Sequence, residues 1–498
     1  MIIHLLTLAL ILSLIPTSRA YAQNSFSQRP PLVVGIVVDQ MRWDYLSRYY
    51  DKFTPDGFRK LIDQGYSCNN CLINYVPTIT AIGHASVYTG TTPAFHGICG
   101  NNFYIDGQKV YCTADTTVQT VGTTGTKGQQ SPHNMLATTI GDQLRLHTDF
   151  QSKVIGISYK DRAAIFPAGH TANAAYWLDP DNLSFITSTY YMNQLPPYVT
   201  KVNQLIKKNK EAQKAGQRIG YTPLCGTIIT DMAIAALQGE QLGKSQNTDM
   251  LCVSYSHTDI IGHEWSTRGQ QIDQAYIQLD KDIARLLKAI EQQVGEGNYL
   301  LFLTADHGSA HNWQYMQQHK IPAGPLYLST LQQSLDSLCA TLIDDILDYR
   351  IYLNHNSITQ QNLSLQQVKQ SIIDYLTTTP GIDIAVDYQN IRNAPIPQPL
   401  LDQLLMGYHP RRSGDIIFIP SPQHYSWWDN LTPTHTTHGQ WNPYDAHIPL
   451  LFYGWNISQG ATSRQVHIND IAPTICQILH IQQPNACTGQ PITEVINK

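Results

Sequence analysis

Short apolar runs alternate with longer amphipathic stretches along most of this chain. The run Leu32–Val38, which reads LVVGIVV, is typical of a strand that is covered on both faces in a parallel sheet. Three further strands of this kind are predicted, at 154–158, 250–255 and 299–303. The pattern therefore predicts a sheet whose central strands are buried on both sides.

Helical segments are predicted between these strands. Thr54 followed by Pro55 is typical of a helix start, and Gly65 is typical of a helix end. Three more helices are predicted from apolar residues at helical spacing, near 135–146, 228–237 and 274–293. This alternation predicts an α/β fold with a mainly parallel central sheet and helices on both of its faces.

Two stretches interrupt the alternation. The first, about 163–224, is rich in Tyr, Asn and Pro, and the second, about 310–430, contains a helical pattern at 365–375. Strands are predicted again at 415–419, near the end of the second stretch, and at 449–453, and a last helix is predicted at 467–479. Since no linker-like segment divides the chain, we expect residues 23–498 to form a single catalytic domain in which both stretches are inserted cap segments.

The amino terminus has the pattern of an export signal. Residues 5–15 are apolar, and Ala20-Tyr21-Ala22 supplies the small residues that a signal peptidase accepts. The apolar run is shorter than the roughly 20 residues of a membrane span. We therefore expect residues 1–22 to be a signal peptide and the mature protein to be periplasmic or secreted, without stable membrane association.

Composition narrows the range of partners. Hydrophobic residues make up 42% of the 498 residues and charged residues only 14%, which predicts a folded chain with a large core. The formal net charge is -5, and no strongly basic patch is evident, so we expect no nucleic acid partner. A monomer is the default expectation.

Candidate metal ligands follow several of the predicted strands, at the edge where α/β sheets bind their ligands. They are Asp39 after the first strand, Asp259 and His263 after 250–255, Asp306 and His307 after 299–303, and His438 in a polar loop before 449–453. Carboxylates combined with imidazoles suit a pair of divalent cations, zinc foremost. In a chain with 19 histidines, the four-residue spacing of Asp259 and His263 is weak by itself, and a surface hydrogen bond is the alternative.

Thr80 lies where a Pro-Thr turn leads into a predicted helix. Unpaired backbone N–H groups at a helix start favour a phosphate, and a threonine hydroxyl placed there is a candidate nucleophile. The alternative is that Thr78 or Thr80 only caps the helix. The candidate metal ligands favour the nucleophile.

Seven motifs occur in order along the chain. They are VVDQMRWDY around Asp39, PTITAIGHASVYTG around Thr80, HGICGNN around Asn101, YKDR around Lys160 and Arg162, HTDIIGHEW, TADHGS and TTHGQ. This set resembles the alkaline phosphatase superfamily, specifically the type I phosphodiesterase/nucleotide pyrophosphatase group and its phosphate-irrepressible bacterial alkaline phosphatase branch. The resemblance implies an alkaline phosphatase that hydrolyses small-molecule phosphate monoesters.

The resemblance also implies a role for each matching metal ligand. One ion is held by Asp39, Asp306, His307 and the Thr80 oxygen, and the other by Asp259, His263 and His438. Two zinc ions are expected, with manganese or iron as alternatives. Thr80 would then carry a phosphothreonine intermediate that water hydrolyses.

Preference for monoesters is expected from Lys160, Arg162 and Asn101. A monoester dianion brings an extra charged oxygen that needs a cationic partner, which a diester does not. If Lys160 and Arg162 lie on an extended segment, their spacing of two directs both side chains to one side. The family resemblance links these two cations and the Asn101 amide to monoesterase activity, and a solvated Lys-Asp-Arg run is the alternative.

Rival functions follow from the same residues. A phosphodiesterase or nucleotide pyrophosphatase on this scaffold is the nearest, and a non-catalytic metal-binding surface module is the second. A sulfatase is disfavoured because no C/S-x-P-x-R motif is evident around Thr80. His435 lies close to His438, and the glycine that follows His438 favours the latter as the ligand.

Overall fold

The computed structural model describes residues 29–339, 341–427 and 434–496. The signal peptide predicted at 1–22 lies outside these described residues. The strands are β1 (Leu32–Val38), β2 (Tyr66–Cys68), β3 (Cys71–Leu72), β4 (Asn102–Ile105), β5 (Gln108–Tyr111), β6 (Thr120–Val121), β7 (Val154–Ser158), β8 (Ala174–Asp179), β9 (Ser184–Ser188), β10 (Asp249–Tyr255), β11 (Tyr299–Thr304), β12 (Gly324–Tyr327), β13 (Ile343–Leu347), β14 (Arg350–Leu353), β15 (Ile382–Asp387), β16 (Ile416–Pro420), β17 (His424–Trp427), β18 (His447–Ile448), β19 (Leu450–Gly454), β20 (Gly460–Thr462) and β21 (Val466–His467).

The α-helices are α1 (Asp44–Arg48), α2 (Phe58–Gln64), α3 (Thr80–Thr89), α4 (Pro93–His96), α5 (Ile140–His147), α6 (Asp161–Ala168), α7 (Pro197–Lys208), α8 (Lys210–Ala215), α9 (Leu224–Gly239), α10 (His257–Trp265), α11 (Gln270–Val294), α12 (Trp313–Gln318), α13 (Leu328–Cys339), α14 (His355–Gln360), α15 (Leu365–Thr378), α16 (Gln398–Gly407), α17 (Pro443–Ala446), α18 (Ile471–Ile478) and α19 (Thr493–Ile496). Short 3-10 helices lie at Tyr50–Lys52, Gly216–Tyr221, Tyr388–Asn393 and Ile468–Asp470.

The main sheet confirms the α/β fold class. Within the described residues it has ten strands in the order β20-β2-β19-β11-β1-β10-β7-β8-β9-β6. The five central strands, β11 to β8 in this order, are parallel, whereas β19 and β9 join them antiparallel. The sheet is therefore mixed as a whole and parallel at its centre. β9 is antiparallel to β8 because the connection between Asp179 and Ser184 is too short for a parallel crossover and forms a hairpin.

Strand predictions match the structure more closely than helix starts do. β1 and β7 have the predicted bounds. The predicted helix start at Thr54 is wrong, since α2 begins only at Phe58. The backbone N–H and the hydroxyl of Thr54 both donate to Oδ2 of Asp280, at 2.6 and 2.7 Å, so this hydroxyl bonds to another helix instead of capping its own.

The stretch 163–224, expected as an insertion, is more closely tied to the main sheet. It supplies β8 and β9, whose residues are all buried, before the chain continues into α7 and α8. The sequence of β8, AAYWLD, mixes small and aromatic residues, and the strand pairs in parallel with β7. The strand forms because its residues are buried beside β7 and β9 in the sheet. Its own sequence lacks the continuous apolar pattern that would have predicted it.

The stretch 310–430 builds a small sheet of its own. Strands β13, β14, β16 and β15 pair antiparallel in that order, and α15 packs beside them. A separate apolar cluster, which includes Leu335, Ile351, Ile372 and Phe418, fills this part of the molecule. We call residues 324–427 without Ala340 the cap. The helical pattern predicted at 365–375 corresponds to α15.

In the described ranges, no single helix combines the length and the apolar character needed to cross a bilayer. One bent pair, Lys210–Tyr221 with Leu224–Gly239, meets the length and composition criteria together, with an angle of 98° between its halves.

Candidate active site

The predicted ligands meet at the carboxyl ends of three neighbouring parallel strands. Asp39 directly follows β1, Asp306 and His307 follow β11, and β10 leads into α10, which carries Asp259 and His263. Because these strands are adjacent, residues far apart in sequence come together at one edge of the sheet. His438, from a loop before β18, completes the group.

A hydrogen bond to the backbone fixes the orientation of each of the three imidazoles. The Nδ1 atoms of His307, His438 and His263 lie 3.0, 2.7 and 2.8 Å from the backbone oxygens of Gly308, Thr78 and Thr436. A carbonyl oxygen can only accept, so each Nδ1 carries the proton and donates it. In the neutral imidazole, Nε2 then keeps its lone pair, which is the arrangement of a metal-binding histidine.

The imidazoles form a row with a buried end and an open end. The rings of His307 and His438 are stacked with centroids 3.5 Å apart, and those of His438 and His263 are 5.1 Å apart. The exposed fractions of these side chains rise along the row from 0% through 7% to 36%. We call the buried end, with Thr80 and His307, the Thr80 end, and the open end the His263 end.

At the Thr80 end, two carboxylate oxygens are buried without a hydrogen bond among the described residues. They are Oδ1 of Asp39 and Oδ2 of Asp306, and each lies 3.5 Å from Nε2 of His307. His84 Nδ1 is also 3.3 Å from Oδ2 of Asp306, but at 2.9 Å it bonds to the backbone oxygen of Thr80. Buried carboxylate oxygens need a partner, and a cation would supply it.

At the His263 end, the ligand atoms are closer still. Nε2 of His263 lies 3.0 Å and Nε2 of His438 lies 3.6 Å from Oδ1 of Asp259. Two groups have ligand atoms within 4.8 Å of one another, Asp259 with His263 and His438, and Asp259 with Asp39 and His307. The donor set therefore fits divalent cations, and Asp259 belongs to both groups.

Lys160 joins the carboxylates of the two groups. Its Nζ lies 2.7 Å from Oδ2 of Asp39 and 2.6 Å from Oδ2 of Asp259. Burial raises the pKa of Asp39, and the neighbouring charges of Asp259 and Asp306 raise it further. Burial alone would lower the pKa of Lys160, but Asp259 and Asp39 outweigh it and raise that pKa. Negative charge therefore accumulates here and attracts cations.

Thr80 is the first residue of α3, as predicted, and is only 2% exposed. Its Oγ1 lies 3.3 Å from Nε2 of His307. Asn101 lies beside it, where Oδ1 accepts a hydrogen bond from the N–H of Ala81 at 3.3 Å. A Cβ at Gly83 would overlap the backbone of Asp306, so glycine allows α3 to approach the β11 loop closely.

The expected extended geometry of Lys160 and Arg162 is wrong. β7 ends at Ser158, Lys160 precedes α6, and Arg162 lies in the first turn of that helix. Because the chain enters α6 directly after Lys160, the two-residue repeat of a strand does not set the direction of these side chains. Arg162 Nη1 donates to the hydroxyl of Tyr111 at 2.9 Å, and its Nε is buried without a partner among the described residues.

Gln40 is a site residue that the sequence did not reveal. Its Nε2 donates to Oδ1 of Asp259 at 2.8 Å, and its backbone N–H donates to Oδ1 of Asp306 at 3.1 Å. Its φ of 62° is left-handed, and a Cβ at Gly262 would clash with its side chain. The available signal was its position directly after Asp39.

The cap also reaches the site through a turn that the sequence did not reveal. Asp348 and Tyr349 connect β13 to β14, both with positive φ. A Cβ at Gly100 would lie 2.5 Å from Oδ2 of Asp348, and a Cβ at Gly439 would lie 3.1 Å from the ring of Tyr349. The turn therefore packs against the neighbours of Asn101 and His438.

The choice between the two nearby histidines is clear in the geometry. His438 faces Asp259, whereas Nε2 of His435 lies 3.2 Å from Oε2 of Glu264. The other histidines within the motifs are buried apart from the row. Nε2 of His96 lies 3.0 Å from the hydroxyl of Ser86 in α3.

Comparison with known proteins agrees with this geometry. A family model described as type I phosphodiesterase / nucleotide pyrophosphatase matches residues 33–441. Alkaline phosphatase PafA of Elizabethkingia meningoseptica is 39% identical, over 94% of this chain and 95% of the relative. Alkaline phosphatase PhoV of Synechococcus elongatus is 40% identical, over 94% of this chain and 93% of the relative. A protein of Myroides odoratus named calcium-transporting ATPase is 42% identical, over 95% of both chains.

Similarity extends to a solved structure. The crystal structure of wild-type alkaline phosphatase PafA superposes with a TM-score of 0.90 at 40% sequence identity. The match covers 95% of this chain and 100% of the other. The chain therefore belongs to the type I phosphodiesterase/nucleotide pyrophosphatase family of the alkaline phosphatase superfamily.

Proposed function

We propose that this protein is a metal-dependent alkaline phosphatase that hydrolyses small phosphate monoesters through a phosphothreonine intermediate on Thr80. One observation carries the proposal: Thr80 Oγ1 at the start of α3 and two unpaired buried carboxylate oxygens lie beside His307, at the buried end of a row of three oriented imidazoles. Relatives at about 40% identity over most of the chain are named alkaline phosphatases. Both the site and the relatives support this chemistry.

Each residue has a distinct part in the proposed reaction. Thr80 Oγ1 attacks phosphorus, the bond to the alcohol oxygen breaks, and water later hydrolyses the phosphothreonine. The first unpaired N–H groups of α3 and the Asn101 amide bind phosphoryl oxygens. Lys160 and Arg162 balance the charge of the monoester dianion.

Two zinc ions are proposed as the cofactor. One would be held by Asp39, Asp306, His307 and Thr80, and the other by Asp259, His263 and His438. When bound, such ions stabilise the charge of attacking and leaving oxygens. The fixed imidazole orientation favours zinc, since neutral nitrogen donors suit it well, and metal analysis distinguishes zinc from manganese or iron.

Export and a monomeric state are also proposed. The apolar run at 5–15 and the small residues before Gln23 support cleavage of a signal peptide and a periplasmic or secreted location. Amino-terminal sequencing of the protein purified from the culture medium or periplasm should begin at Gln23. An intact amino terminus in a cytoplasmic fraction would contradict export, and light scattering tests the monomer.

The decisive experiment compares two substrates on protein of known metal content. We expect purified protein to hold about two metal ions per chain and to hydrolyse an aryl phosphate much faster than the matching bis-aryl diester. A faster diester rate would favour the phosphodiesterase, which the family description also covers. Metal uptake without any hydrolysis would favour the non-catalytic metal-binding module.

A further inference from the structure

A cavity of about 360 Å³ lies beside His263, at the open end of the imidazole row. Its wall includes Tyr221, Ile260, Glu264, Ser426, His435 and Thr437. Binding cavities for small molecules measure roughly 300 to 1,000 Å³, so this one suits a small group. It lies at the His263 end, whereas Thr80 contacts His307 at the other end.

The position of this cavity relates it to one part of the substrate. In phosphoryl transfer, the attacking and the leaving oxygens lie roughly in line on opposite sides of phosphorus. If Thr80 attacks from the His307 side, which is the proposed function on which this step rests, the alcohol departs toward His263. The cavity is then where the leaving alcohol is bound.

The cavity wall offers hydrogen-bonding groups. Within the described residues, no hydrogen bond uses the hydroxyl of Tyr221 or that of Thr437, whose backbone oxygen is the atom bonded to Ser309. The carboxylate of Glu264 is 29% exposed and can accept about four hydrogen bonds. Within the described residues this carboxylate contacts His435 and Arg218, which leaves acceptor sites open at the cavity wall.

The aromatic wall is less suited to stacking a planar ligand. The guanidinium of Arg218 lies over the ring of Tyr221, 4.0 Å from its centroid, and the ring of Trp265 meets it edge to face at 6.3 Å. Arg218 covers one ring face and holds the ring through a cation–π interaction. The hydroxyl of Tyr221 thus becomes its principal contribution to recognition.

We propose that this cavity is a leaving-group subsite that selects small polyhydroxylated alcohols, such as glycerol or a hexose, as the alcohol part of the phosphate monoester. Tyr221, Thr437 and Glu264 supply one donor or acceptor each to the hydroxyl groups of that alcohol. Unpaired polar groups in a site reject a leaving group that cannot bond to them, which makes these residues determinants of specificity.

The test compares three monoesters that differ only in the alcohol: glycerol phosphate, phenyl phosphate and methyl phosphate. Tyr221→Phe and Glu264→Gln should each lower kcat/KM for glycerol phosphate about 10-fold more than for methyl phosphate, because each removes a hydrogen bond to the alcohol. For phenyl phosphate, the loss of kcat/KM should be as small as for methyl phosphate. Glu296→Gln, an exposed carboxylate before β11 at the opposite edge of the sheet, is the matched control.

A second measurement does not depend on turnover. In the Thr80→Ala background, calorimetry with glycerol phosphate should show about 10-fold weaker binding when Tyr221→Phe is added, and a much smaller change with methyl phosphate. Equal losses for all three esters, or a larger loss for phenyl phosphate, would overturn the polyol subsite. Failure of the unaltered enzyme to hydrolyse any of the three would instead refute the proposed function.

Discussion

The Thr80 end and the His263 end of the imidazole row are built differently. Thr80 and His307 are 2% and 0% exposed, Thr80 as the first residue of α3 and His307 in the loop that follows β11. His263 is 36% exposed and faces a cavity whose wall is partly formed by the loop 434–438. Buried donors are already organised for charge stabilisation, whereas an opening lined in part by a loop admits different groups. The residues that carry out the reaction therefore lie at the Thr80 end, and those that select the substrate lie at the His263 end.

The largest expected effect is at the Thr80 end. Thr80→Ala should lower hydrolysis of an aryl phosphate by at least about 10³-fold, because it removes the attacking oxygen, while metal content stays at about two ions per chain. Steady-state rates and metal analysis of the same sample check this. The control is Thr89→Ala, at the far end of α3, where the hydroxyl donates to the backbone oxygen of Ala85. Full activity of Thr80→Ala would remove the distinction between the two ends.

An intermediate effect is expected between the ends. Lys160→Ala and Arg162→Ala should each lower monoester hydrolysis by about 10- to 1000-fold and diester hydrolysis far less, because a monoester carries the additional charged oxygen. Parallel kcat/KM values for an aryl phosphate and its diester measure the difference. Lys153→Ala is the control, since this lysine precedes β7 at the opposite edge and pairs with Glu240. Equal losses on both esters would show that these cations do not select the monoester.

The smallest expected effect concerns the packing beneath the Thr80 end. His96 is fully buried against α3, and burial, with the charges of His409 and Arg412, lowers its pKa to about 3. A lowered folded pKa means that the unfolded chain, with a histidine pKa of about 6.5, binds the additional proton. The contribution of His96 to stability is therefore complete above about pH 6.5 and is lost as the pH falls toward about 3.

The predicted rise of stability with pH can be measured by denaturant unfolding between pH 4 and 6. Each such histidine contributes a slope of about 1.4 kcal/mol per pH unit to the free energy of unfolding. His96→Gln should reduce the slope by up to that amount, and His480→Gln, at an exposed position, is the comparison. An unchanged slope in His96→Gln would mean that this imidazole is not kept neutral by burial.

Several parts of the fold and site could be predicted because their signals are local. The apolar runs of β1 and β7 gave correct strand bounds, since both strands are buried on two faces. Thr80 was correctly placed at the start of α3. Helix starts such as that of α2 were missed because the relevant hydrogen bonds go to Asp280, on a helix that comes much later in the chain.

Other site residues had no local signal. Gln40 contributes only because Gly262, on another element, leaves space for its side chain. The turn at Asp348 and Tyr349 reaches the site only because the cap folds back over Gly100 and Gly439. Arg162 was predicted as a site residue, but the direction of its side chain depends on α6, which begins at Asp161 where an extended segment was expected.

By itself, the sequence determined the α/β alternation, the family and the identity of the candidate ligands, because strand burial and ligand chemistry are written in residue type and spacing. Only the tertiary structure decided which imidazole nitrogen faces the carboxylates, where Lys160 lies, and that one end of the row is closed while the other opens to a cavity. These features depend on contacts between residues hundreds of positions apart, and packing alone fixes such contacts.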